Sequence, residues 1–211
     1  MTYIAWAARI IVFLVIAGFL HYTLPDRDIV RIVSTYEERQ DFGGLNSIFW
    51  SRGSAGAGDS SINRDVLFIQ TVRADGRTMV YRNEDTGWGW PPYFKFNTAD
   101  LQTEAADAIS TRDNPQWYAM RHYGWRSNLF SIFPNALSMR AVESPDVRLI
   151  PWFNIVFLTL LFVIAATIWR LWRNFRQARI DPVIEDFEED VDAARNKVGG
   201  FFSRLFGRSK K

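Results

Sequence analysis

Two apolar runs of 20 residues limit what this chain can fold into. From Tyr3 to Tyr22 the only formal side-chain charge is Arg9, His21 aside, and from Ile150 to Trp169 there is none. As helix, each run is about 30 Å long, the thickness of a bilayer's hydrocarbon core. A single short segment crosses that layer only as a helix, because every backbone amide must be satisfied internally. Trp152 near one end of the second run, with Trp169 and Trp172 near the other, reads as an aromatic belt at each interface. Pro151 is expected in the first turn of that helix, where its missing N–H costs little.

The first run has an uninterrupted apolar stretch from Ile10 to Leu20, which is also the size of a signal-peptide core. His21-Tyr22-Thr23-Leu24-Pro25 follows and is poor cleavage chemistry, so an uncleaved anchor is the expectation and cleavage the alternative. Arg9 reads as an orientation charge able to snorkel, with an ion pair inside a partner complex as the sharper reading.

Charge on the flanks orients the spans. Arg170, Arg173, Arg176 and Arg179 follow the second run, whereas Arg148 and Arg140 are the nearest cations before it. The larger cluster belongs in the cytoplasm, and two spans then put both termini there. Residues 26–149 fall on the other side. From Leu24 to Leu149 there are 14 Lys and Arg against 16 Asp and Glu. With a net charge of +2, nothing in the whole chain pulls it toward nucleic acid. It has no cysteine, which excludes disulfides, thiolate nucleophiles and cysteine-rich zinc sites.

The intervening segment is long enough for a domain. Ile29–Tyr36 is rich in β-branched residues and predicts a strand. Gly43-Gly44 and the Gly53–Gly58 run bracket an excursion carrying Ile48-Phe49-Trp50. That run lacks the lysine and the preceding strand of a phosphate loop, so plain flexibility is expected. Val66–Val72 and Thr78–Arg82 predict two strands joined at Asp75-Gly76 by a type I′ turn. Asn97-Thr98 is expected to cap a helix with Leu101, Ala105, Ala108 and Ile109 as its apolar stripe and Asp100 in its first turn. Gln116–Arg126 and Ala136–Val142 are the last two strands. Three strands, a helix and two strands is the order of an OB-like barrel; a half-open barrel or α+β sandwich shares it.

The expected fold is therefore a membrane-anchored α+β chain. Transmembrane helix 1 takes residues 1–24, a small β-rich domain (OB-like or half-barrel) with one helix takes 25–149, and transmembrane helix 2 takes 150–171. A tail takes 172–211. In that tail Ile184, Phe187, Val191, Ala194 and Val198 mark one helical face among acidic residues, suited to a basic protein surface unless the tail is disordered. Phe201, Phe202, Arg204, Leu205, Phe206, Arg208, Lys210 and Lys211 then read as a membrane-surface anchor.

The segment from Arg77 to Phe96, which includes Thr86-Gly87-Trp88-Gly89-Trp90-Pro91-Pro92-Tyr93-Phe94, resembles the signature of a bacterial membrane-protein family, the domain of unknown function number 1523. His122-Tyr123-Gly124-Trp125-Arg126, Phe133-Pro134-Asn135-Ala136 and His21-Tyr22-Thr23-Leu24-Pro25 are similar to it as well. The resemblance spans roughly residues 1 to 175. It implies a bacterial inner membrane and a periplasmic domain, and it brings no catalytic residue.

Enzyme signatures are sparse. The sequence holds no G-x-S-x-G and no His-Glu-x-x-His. His122 is the one histidine of the domain proper and is expected to be packed or superficial, with Tyr118 and Met120 on its face. Asn83, Glu84 and Asp85 are weak metal candidates for calcium; a solvated turn, or ion pairs to Arg82 or Arg126, is the plainer reading. No cofactor is expected. The informative set is Trp88, Trp90, Pro91, Pro92, Tyr93 and Trp125, either a rigid apolar platform for a partner or the filling of a β core. Glycines beside the indoles and two prolines favour an edge or loop with at least one of Trp88, Trp90 and Tyr93 exposed. The expected function is a non-enzymatic accessory or scaffold protein binding another membrane or envelope protein. A ligand- or glycan-binding module is the first alternative, and a hydrolase or calcium-dependent enzyme the second.

Overall fold

The structure is a computed structural model that describes residues 2–41 and 63–180. The Gly53–Gly58 run, Ile48-Phe49-Trp50, the acidic helical face and the basic-aromatic end at 201–211 lie outside the described residues.

Helix α1 runs Thr2–Thr23 and helix α3 runs Trp152–Phe175, continued by a wider π-helical turn over Arg176–Ile180. Both are long and apolar enough to cross a membrane by length and composition. No part of either apolar window is buried inside the protein, as one stripe of a soluble core helix would be. Pro151 stands just ahead of α3 rather than in its first turn, where its fixed φ still leads into the helix.

Between them lies a closed five-stranded barrel. Its strands are β1 (Asp26–Asp41), β2 (Asn63–Arg73), β3 (Thr78–Asn83), β4 (Trp117–Tyr123) and β5 (Asn135–Val142). Around the barrel they follow the order β1-β2-β3-β5-β4. Neighbours are antiparallel except β3 and β5, which meet in parallel at Arg82 and Asn135. Strand β1 is long enough to pair β4 through Asp26–Val30 and β2 through Val30–Asp41, which closes the ring. A register shift between Ile32 and Ser34 interrupts its pairing with β2. Helix α2 (Thr98–Asp107) falls between β3 and β4, as the order of elements predicts.

Period-two alternation sends Val30, Ile32, Ile69, Tyr81, Met120 and Ala136 inward, where α2 covers them with Leu101 and Ala105. Fully burying one such side chain contributes roughly 1.5–3 kcal/mol. A second cluster outside this core stacks Phe68 on Tyr36 at 5.1 Å and meets Phe133 edge-on at the same distance.

Three local expectations are corrected. The β2–β3 turn is not type I′. Of its residues Gly76 alone has positive φ, and its N–H donates to the Arg73 carbonyl at 2.9 Å. A type I′ turn would need Asp75 there as well, at a steric cost that the four-residue loop avoids. Asn97 makes no capping bond with its side chain. Asp85 does that work instead, its Oδ1 accepting from Thr98 N at 3.1 Å and Thr98 Oγ1 at 2.7 Å. Ile109 lies past the end of α2, half exposed, bridged to Ile32 of β1.

Candidate functional site

The aromatic segment leaves β3 and folds back along one end of the barrel. Gly87 N–H donates to the Lys95 carbonyl at 3.1 Å and Gly89 N–H to the Thr86 carbonyl at 2.9 Å. Gly87 sits at φ +52°, and a Cβ on Gly89 would meet the Thr86 carbonyl oxygen at 3.1 Å. The two glycines thus permit a turn that a side chain would strain, and the Trp88 indole between them faces out. Trp88 is 85% exposed, with its ring 5.3 Å from Phe94 and 6.0 Å from Phe96, both themselves exposed.

The six residues of the predicted platform do not act as one. Trp88, Trp90 and Pro92 are exposed, while Pro91 is buried and joined to Trp90 by a cis peptide. Trp90 stacks nearly flat on Phe19 of α1, with centroids 5.6 Å apart. Tyr93 is half buried, donates its hydroxyl to the Thr23 carbonyl and stacks on Tyr123 at 5.0 Å. Burial pushes its phenol well above the ordinary value. Trp125 donates Nε1–H to His21 Nδ1 at 2.8 Å and meets Tyr22 edge-on at 5.4 Å. Trp90, Tyr93 and Trp125 therefore fasten the barrel to the end of α1. Trp88 is left free, with Phe94 of the same motif and with Phe96, which lies beyond it.

Lys95 buttresses this segment from beneath. It is buried, its Nζ donating to Asn83 Oδ1 and to the Ala136 carbonyl, the latter at 2.8 Å. Burial lowers its pKa to about 7, against the charges of Asp85 and Glu84, which hold it up. Arg82 lowers it further. Asn135 ties the same floor together, its Oδ1 accepting from Glu84 N and its Nδ2 donating to the Glu84 carbonyl, each at 3.0 Å.

The three weak metal candidates are spent in different directions. Asn83 donates to the Thr98 carbonyl and Gln102 Oε1, Glu84 pairs with Arg82 at 3.1 Å, and Asp85 caps α2. Among the described residues no group of three or more His, Asp or Glu is placed to hold a metal.

His122 is packed, as expected, but in company the sequence did not announce. Asp28, buried on the inner face of β1, accepts from Arg73 Nη2 at 2.5 Å and from Tyr81 at 2.6 Å, with His122 Nε2 at 3.1 Å. Burial would raise the Asp28 carboxyl, but the hydrogen bonds from His122 and Tyr81 and the charge of Arg73 outweigh it and hold it below the ordinary value.

Among the described residues, a pair of clefts shares Arg121. One, of about 400 Å³, lies between the aromatic segment and β4–β5 and is lined by Tyr93, Phe94, Lys95, Phe96, Arg121 and Ser138 among others. The other, of about 70 Å³, is lined by Pro25, Arg27, Arg121, Pro151, Phe153 and Asn154 among others. Neither Asp28 nor His122 is among the residues that line these two clefts.

Residues 1–176 match the model of a protein family of unknown function, DUF1523. The chain belongs to that family. The DUF1523 match takes in both apolar helices and the whole barrel, and it bears out the resemblance carried by the Trp88–Phe94 motif. An uncharacterized protein of Haemophilus influenzae is 35% identical over 170 residues, which is 77% of this chain and 91% of that relative. No solved structure matches the chain.

Proposed function

We propose that this DUF1523 member is a two-span protein of the bacterial inner membrane with both termini in the cytoplasm and residues 26–149 in the periplasm. Its barrel has the strand order of an OB-like fold, and it serves as a non-enzymatic accessory or scaffold that engages another envelope protein. The arginines at 170, 173, 176 and 179 support the orientation. The observation that carries the binding role is the exposed ridge of Trp88, Phe94 and Phe96. Large rings held edge-to-face in a glycine-shaped loop present apolar area at low entropy cost, as interface anchors do.

Site-specific photocrosslinking in intact cells tests this reading. A photoreactive residue at position 88 should give a discrete protein adduct, and one at exposed Arg140 should not. Smears of equal intensity at both positions would sink the scaffold reading. A reporter fused to the C-terminus should be active only in the cytoplasm.

The cleft of about 400 Å³ favours a second reading, a ligand-binding module. Its walls combine Tyr93, Phe94 and Phe96 with the Arg121 cation and the Lys95 side chain. A small anionic ring compound that protects the barrel from heat, with no crosslinked protein at position 88, would favour it.

A further inference from the structure

Arg27 of β1 and Arg121 of β4 are direct cross-strand partners, two like charges side by side. Such a pair is destabilising on a sheet unless something neutralises it. Among the described residues neither guanidinium has a carboxylate within ion-pair distance. Asp26 lines the same small cleft, but its Oδ1 accepts from the Arg27 backbone N–H at 2.8 Å. Among the described residues the Arg27 guanidinium has a long 3.5 Å contact to the Ile150 carbonyl. Arg121 is half buried, its guanidinium carbon 5.8 Å from the ring centroids of both Tyr93 and Phe153. Two rings thus hold a cation in place and leave its N–H donors for something else, and it lines both clefts.

The position of the pair says what that something is. Tyr93 hydrogen-bonds Thr23, the last residue of α1, and Phe153 is the second residue of α3. Asn154 donates to the Pro25 carbonyl at 2.9 Å. The arginines therefore stand level with the ends of the two apolar segments, where phosphate groups lie in a bilayer. Guanidinium N–H pairs fit phosphate oxygens bidentately.

We propose that Arg27 and Arg121 form a binding site for the phosphate of a phospholipid headgroup in the leaflet that the barrel faces. The site rests on the reading that α1 and α3 cross the membrane. It would give the barrel a polar contact with the bilayer beside its covalent links to α1 and α3. The Arg27–Arg121 repulsion is relieved when the headgroup is bound.

The test is native mass spectrometry of the full chain released from membranes in mild detergent, with phosphatidylglycerol and phosphatidylethanolamine added as probes. The wild-type chain should retain one phospholipid, and the Arg27→Gln/Arg121→Gln variant should retain it roughly tenfold less well. Arg140→Gln, an exposed arginine elsewhere on β5, should behave as wild type. Arg121→Lys keeps the charge without the fork and should fall between, which guards against a double variant that simply unfolds. Inorganic phosphate in excess should not displace the lipid. Equal retention by the double variant overturns the proposal, and displacement by phosphate reassigns the pair to a free anion and overturns it too. Alkaline carbonate extraction separates the two layers of inference. A chain stripped from the membrane defeats the spanning reading and the lipid site together, whereas an integrated chain with unchanged retention defeats the lipid site alone.

Discussion

Asp28 Oδ2 lies 3.1 Å from His122 Nε2 on the neighbouring strand, both side chains buried within the barrel wall. With Tyr81 and Arg73 on the same carboxylate, one acid is the meeting point of β1, β2, β3 and β4. Removing it leaves several donors without their acceptor. Asp28→Ala should cost on the order of 3 kcal/mol, read as a lowered barrel melting temperature by near-ultraviolet circular dichroism.

The same carboxylate sets an acid limit. Its folded pKa is depressed, so its stabilisation is present above the unfolded value, near 3.8, and is lost as pH falls through the folded value. Melting temperature should drop as the solution is acidified below about pH 4, and Asp28→Asn should flatten that drop. A wild-type profile unchanged down to pH 2 would contradict it.

Lys95 acts in the opposite pH range. Its folded pKa is about 7 against an ordinary 10.5, so between those values the unfolded chain binds the extra proton. Stability should therefore rise with pH across that window. Lys95→Met loses the bonds to Asn83 and Ala136 and lowers the baseline, but its stability should no longer climb from pH 7 to 10. The slope is the readout.

Asp85 caps a helix from outside it. Asp85→Ala frees Thr98 N and should cost about 1 kcal/mol, measurable as a shift of the denaturant midpoint. Asn97→Ala, whose side chain caps nothing, should cost distinctly less.

The aromatic residues should separate by role. Trp88→Ala should leave melting unchanged within the small range of exposed substitutions while abolishing crosslinks at neighbouring positions. Tyr93→Phe should do the reverse, losing the bond to Thr23 and about 1 kcal/mol with crosslinking intact.

Local and periodic features were legible in the sequence. Uninterrupted apolar runs locate α1 and α3, β-branched stretches locate β1 and β2, and the Leu101–Ala105 stripe locates α2. Exposure of at least one ring among Trp88, Trp90 and Tyr93 was readable from the neighbouring glycines and prolines, and Trp88 and Trp90 are the exposed ones. What stayed hidden is non-local. Asp28 in an Asp-Arg-Asp run reads as a solvated strand end, and only a partner 94 residues on shows it to be buried. Lys95 looks like any surface lysine until Ala136, 41 residues later, supplies a carbonyl. Asn97 occupies the sequence position of a cap, but Asp85 reaches Thr98 first because the intervening aromatic turn brings it back. The six platform residues divide because Trp90, Tyr93 and Trp125 contact α1, and alternation within a strand carries no information about an approaching helix.

Leu24 and Pro25 are all that separates α1 from β1, and Pro25 is buried. Gly124 N–H to the Tyr22 carbonyl at 3.0 Å and the Tyr93–Thr23 bond lock the joint on two further sides. Such a barrel cannot fish on a line: it has no slack, so its search volume is almost nil. Relative to the end of α1 it is a fixed post of constant heading. On the proposed scaffold reading, a partner of Trp88 would have to arrive already facing it, so the joint as well as the ridge would decide which molecules qualify.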